Sequence, residues 1–163
     1  VIESKPVNMN LSQQIAKHIR EVHFGGNWTE SNLKDQLADV TWEQAVKKTD
    51  SFNTIAALVY HINYFVKVGI TVLKNESLNA HDKYSFNVPP VHSQADWQQL
   101  VNQSLADAET YAKLVEQLPE SRINEIFIKE KYGNYFRNLI GNIEHMHYHL
   151  GQIVIIKKLV KKE

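Results

Sequence analysis

Only six glycines and four prolines interrupt the 163 residues, and the long stretches between them carry apolar residues at helical spacing. The first such stretch, MNLSQQIAKHIREVHF, places Leu11, Ile15, His18 and Val22 on one stripe at i, i+4, i+7 and i+11, the pattern of an amphipathic helix. Gly25 and Gly26 stop it. Thr29 or Ser31 is placed to cap a short helical turn in TESNLKDQLADV, and TWEQAVKK supplies another. Asn53 and Thr54 open a second long helix, with Ile55, Leu58, Ile62, Phe65, Gly69 and Val72 on one face. Residues 76 to 93 break the period and contain Pro89-Pro90, so they form a long connection. Such a crossover suits two bundle helices that do not make a tight hairpin. Ser93 begins a third helix, with Asp96 as its capping-box partner, and Leu118-Pro119 ends it. RINEIFIKEKYGN leans towards β structure and reads as an extended arm before a last helix from about Tyr135 to Val160. With no internal repeat or linker, residues 1–163 read as one all-α domain. The expected fold is a four-helix bundle with long crossover connections and crossings of about 20°.

Charge and composition exclude several functions. Eighteen basic residues balance eighteen acidic ones, which leaves no electrostatic footprint for a phosphate backbone, so no nucleic-acid partner is expected. The lysines of KKLVKKE read as a solubilising helix end facing the negative end of the helix dipole. The absence of cysteine removes disulfides, thiolate ligands and a cysteine nucleophile. VIESKPVNMN shows no basic segment followed by an apolar run, and no uncharged apolar stretch is long enough to span a bilayer. A cytoplasmic protein without a membrane partner is the expectation.

The segment HMHYHLGQI concentrates three of the eight histidines in five positions. At 100° per residue, His145 and His149 lie roughly 40° apart, one turn from each other, so their imidazoles can converge on one ion. His147 points elsewhere, beside Ile143, Leu150 and Val154. It reads as packing, with a partner interface as the alternative. The stripe through the pair reads Asn138, Asn142, His145, His149, Gln152 and Ile156, without lysine or glutamate, which suits a polar interior better than a solvated face. A third ligand could come from His61, at the edge of the second long helix's apolar face, or from His18 on the first helix. Helical geometry does not choose between them.

Three segments in order resemble the DinB/YfiT-like family: FGGNWTESNLKDQLADVTWEQAVKK, NTIAALVYHINYF and EHMHYHLGQI. The resemblance covers roughly residues 9–160 and implies a bundle that holds one divalent metal ion through His61, His145 and His149. Gly151 then reads as a point of close helix approach. Gln152, three residues after His149, reads as a hydrogen-bond partner of that ring. Trp28, in the first matching segment, is either a roof over the site or a core plug. Asn142, one turn before His145, faces either the cavity or the surface.

Three neutral imidazoles leave a coordination position open, as catalytic sites do. They suit Zn, Ni, Cu or Fe; Zn is expected in the cell, and Ni is readily acquired from an affinity column. The resemblance implies thiol S-transfer to a small electrophile, or hydrolysis, with a small-molecule substrate and a low-molecular-weight thiol as partners. Met146 follows His145, so the glutamate of an HExxH site is absent, and Glu144 reads as a surface charge; this favours S-transfer. The contrasting expectation is a non-catalytic metal-binding or interaction bundle. A homodimer would follow if the Ile143, His147, Leu150, Val154 stripe were exposed.

Overall fold

The computed structural model describes residues 8–161; the first seven residues and the last two, including part of the C-terminal lysine run, lie outside them. Polar caps set where the helices begin. Asn10, Asn32, Thr41, Thr54, Ser93 and Asn134 each accept the backbone N–H three residues on, satisfying a donor that the first turn leaves unpaired. These caps open α1 (Leu11–Phe24), α2 (Leu33–Leu37), α3 (Trp42–Val46), α4 (Ile55–Leu73), α5 (Gln94–Glu116) and α6 (Tyr135–Val160). The cap of α2 is Asn32, not Thr29 or Ser31. The Thr29 hydroxyl is taken up by Asn27 Oδ1 at 2.7 Å inside the preceding turn. Asp96 takes the N–H of His92 at 2.9 Å, one residue short of closing the expected capping box on Ser93.

The four long helices pack in a ring, α1 against α5, α5 against α4, α4 against α6, and α6 against α1. Side-chain pairings give their directions. Ser12 Oγ donates to Leu118 O at 2.7 Å, while Arg20 pairs with Glu109 and Glu116, so α1 and α5 are antiparallel. Asn63 donates to Asp107, and Gly69 lies against the Tyr111 ring; residue numbers rise together, so α4 and α5 are parallel. Asn142 donates to Phe65 O while His61 meets His145, making α4 and α6 antiparallel. Two parallel neighbours cannot be joined by a hairpin. The chain after α4 must travel back along about 28 Å of helix before α5 can begin, and this accounts for the long connection.

The core is filled by Ile15, Ile19, Val22, Ile55, Leu58, Ile62, Trp97, Leu139 and Ile153, among others. The Trp97 indole N–H donates to Val40 O at 2.8 Å, so a large apolar side chain is buried without orphaning its one polar atom. On α1 the buried face contains Ser12, Ile15, Ala16, Ile19 and Val22, rotated from the expected stripe: Leu11 and His18 point outward. Helix α4 is long and apolar enough to cross a membrane by length and composition alone, although it is not uncharged, since it carries Lys67. Its apolarity has a packing reason, since it is wedged between α5 and α6 and buries Ile55, Leu58, Val59, Ile62, Val66 and Val72. The arm before α6 makes one antiparallel bridge, Ile126 to Asn134, with a 3-10 turn before it at Glu120–Arg122 and another inside the loop it closes at Glu130–Tyr132. The lysines at the end of α6 do more than solubilise: Lys157 and Lys161 both clasp Asp39 after α2.

Candidate metal centre

Antiparallel packing of α4 on α6 brings His61 opposite His145 and His149. The potential ligand nitrogens of these three residues all lie within 4.8 Å of one another. His145 Nε2 and His61 Nε2 face each other at 3.0 Å. His61 and His149 are buried and His145 is half-buried. Among the described residues this is the one group of three or more His, Asp or Glu side chains so arranged.

The surroundings fix the rings. His149 Nδ1–H donates to Gln152 Oε1 at 2.6 Å, which places the proton on Nδ1 and leaves the Nε2 lone pair directed inward. Phe86 stacks on His61, centroids 4.0 Å apart, and Phe65 sets its edge against both His61 and His145. Burial, the largest influence, pushes the His145 ring down to about 4, with His149 and His61 adding to the effect. Burial likewise lowers His61, helped by His149 and opposed by the Ser85 backbone and Asp82. His149 is lowered by burial and partly restored by Gln152. All three are thus held neutral near pH 7, the protonation state that metal binding requires.

The ring nitrogens that face each other fit a metal ion. The opposite nitrogens, Nδ1 of His61 and His145, are buried without a hydrogen-bond partner among the described residues; the Ser85 backbone near His61 favours its charged form without reaching bond geometry. A hydrogen bond between the two Nε2 atoms would serve one ring as acceptor and leave His149 Nε2 without a role. Three ligands to one ion at about 2.05 Å would instead set neighbouring nitrogens about 3.3 Å apart in a tetrahedron, close to the 3.0 Å seen. A neutral all-nitrogen donor set suits Zn, Ni, Cu or Fe and not Mg or Ca.

The other expected site residues divide. Asn142 lines a cavity of 480 Å³ that ends at His145. Its Oδ1 is buried without a bonded partner among the described residues; the Tyr111 hydroxyl, raised above its ordinary pKa by burial and drawn back by Asn142, stops short of bonding it. Trp28 is corrected: it is fully exposed on the turn after α1 and neither roofs the site nor plugs the core. Gly151 is corrected too, since a Cβ there would meet nothing within 4 Å. The close approach is at Gly69, where a Cβ would stand 2.4 Å from the Tyr111 ring. His18 is an exposed partner of Glu21 and takes no part. His147 is half-buried, and Ile143 and Val154 beside it pack on the core, so that stripe has an intramolecular reason for being apolar.

Two contributors had no signal in the sequence. Phe86 covers His61 from the long connection, and Asp82 lies near enough to favour the charged forms of both His61 and His145. Tyr64 positions that segment by accepting the His81 N–H and donating to the His81 carbonyl, each at 2.9 Å. Comparison with protein families, curated proteins and solved structures finds no match to this chain. The DinB/YfiT resemblance therefore rests on the three sequence segments quoted above.

Proposed function

We propose that the protein is a divalent-metal-dependent enzyme of the DinB-like bundle type, with His61, His145 and His149 as ligands. The observation that carries this reading is the convergence of three neutral imidazoles, two buried and the half-buried His145 reaching a cavity. A bound divalent ion would supply Lewis acidity, lowering the pKa of a thiol or a water molecule so that it can act as a nucleophile. The protein's own residues hold and shield the site. Gln152 sets the His149 tautomer, Phe86 stacks on His61 and Phe65 packs against His61 and His145, and the cavity leads a substrate to the His145 edge.

Thiol transfer to a small electrophile is the preferred reaction, since it requires no protein base. Hydrolysis is the second reading, and Asp82 favours it: a carboxylate beside the histidines is a candidate proton acceptor. The test compares zinc-loaded parent with a His61→Ala variant. Loss of free thiol in the presence of an aryl halide or epoxide is followed alongside hydrolysis of an activated ester. Faster thiol loss in the parent alone supports transfer; metal-dependent ester cleavage abolished by Asp82→Asn supports hydrolysis. Equal rates in parent and His61→Ala in both assays would refute catalysis at this site.

A further inference from the structure

The cavity ending at His145 is one lobe of a longer cleft. A second lobe of 570 Å³ shares Phe65, Val68, Phe127, Tyr132 and Asn138 with it and runs under the long connection. Each lobe alone is of a size that holds a small organic molecule. The charge along the cleft is uneven, although the chain as a whole is neutral. The lobe at His145 carries Arg137 and Lys131 and no carboxylate; the far lobe contains Asp82 and Lys129.

Arg137 is built into this lobe. Its guanidinium lies over Gly141, where a Cβ would stand 2.9 Å from Nη1. The glycine thus lets the side chain run along α6 towards His145, one turn further on. No ion pair or side-chain hydrogen bond holds the Arg137 guanidinium among the described residues, whereas Arg20 and Arg122 are both paired with glutamates. Lys131 makes only a cation–π contact, with Nζ 4.7 Å from the Tyr132 ring centroid. An exposed guanidinium without a partner, lining one lobe together with an ammonium and aromatic rings, is a ready receptor for a carboxylate or phosphonate.

We propose that the lobe beside His145 binds the anionic group of a small organic substrate, anchored by Arg137 and Lys131, with its apolar body against Phe65, Phe127 and Tyr132. This rests on the reading of the three histidines as the metal centre, and it names the class of molecule that would be presented there. The apolar body is required because aromatic rings line both lobes; a bare inorganic anion would leave them solvated.

The test measures direct binding to zinc-loaded protein by calorimetry, with amide shifts mapped by NMR. The probes are phenylacetate, phenylphosphonate and the neutral phenylacetamide, with zinc occupancy determined in the same samples. At least one anion is expected to bind about tenfold or more tighter than the amide, to weaken with salt, and to shift amides around Arg137 and Asn142. Which anion binds tighter identifies the headgroup. Arg137→Gln, an exposed position whose replacement does not disturb the core, should remove that preference and leave amide binding and zinc content unchanged. Equal affinity of anions and amide at full zinc occupancy, or a preference that survives in Arg137→Gln, overturns the anion subsite while leaving the metal centre standing. Protein that takes up no zinc when it is offered, yet retains the preference, overturns the metal reading and leaves the anion subsite standing.

Discussion

Gly69→Ala tests the contact between α4 and the Tyr111 ring of α5. An added Cβ would meet Tyr111 Cε2 at 2.4 Å and Cζ at 2.8 Å, so relief to ordinary contact means moving the ring by about 1 Å. Tyr111 is 1% exposed and can yield only towards the cavity it lines with Gly69 and Asn142. Overpacking of this kind costs about 1–3 kcal/mol, while replacing a mid-helix glycine by alanine returns about 1 kcal/mol. The net expectation is a loss of about 0–2 kcal/mol. Urea unfolding followed by circular dichroism measures it, in parent and in a Tyr111→Leu background where the ring is gone. There the same Gly69→Ala change should be stabilising by about 1 kcal/mol, giving a coupling of about 1–3 kcal/mol between the two positions. Equal destabilisation in both backgrounds, or a gain in the parent, would refute the account of α4–α5 packing.

Other outcomes follow from single contacts. His23 is buried, donates Nδ1–H to Ile19 O at 2.8 Å, and is pushed down to about 4, chiefly by burial. Its folded pKa lies below the unfolded value, so its contribution is present above about 6.5 and is lost as pH falls towards 4. From pH 7 to pH 5 the parent should lose about 2 kcal/mol more stability than His23→Phe; parallel pH profiles in urea titrations would contradict this. Gln152→Leu removes the acceptor that fixes His149 and should weaken zinc binding by about 10–100-fold in a chelator competition; unchanged affinity would show that the bond at 2.6 Å does not orient the ligand. Asp39, held to about 2 by hydrogen bonds from Lys157 and then Lys161, is more than half exposed. Asp39→Asn should therefore cost less than about 1 kcal/mol at neutral pH and nothing measurable in high salt, read from thermal melts at two ionic strengths.

Where the sequence could be read, one helix carried the information. The bounds of α6, the pairing of His145 with His149 and the place of Gln152 all follow from about 100° per residue along a single element. His61 needed the resemblance, because an α4 edge position says nothing about which neighbour it faces. Misreadings arose where a distant contact decided the outcome. Ser12 is buried because Leu118, far along the chain, accepts its hydroxyl proton, and this rotates α1 from the stripe that Leu11 and His18 suggested. Trp28 stands on a turn whose polar groups are satisfied locally by Asn27 and Thr29, so nothing draws the indole inward. Asp82 and Phe86 reach the histidines because a parallel α4–α5 pair forces a long return across the site, and an aperiodic segment carries no signal of what it will cover.

The central claim is that His61, His145 and His149 form one metal site. Its most direct test is the metal content of untagged protein purified without a metal column, offered zinc, dialysed and assayed by elemental analysis beside His149→Ala. The account predicts about one equivalent of zinc in the parent and little in the variant, whose two remaining imidazoles cannot complete a three-nitrogen site. A parent that retains no zinc or nickel, or a variant that retains as much as the parent, would contradict it.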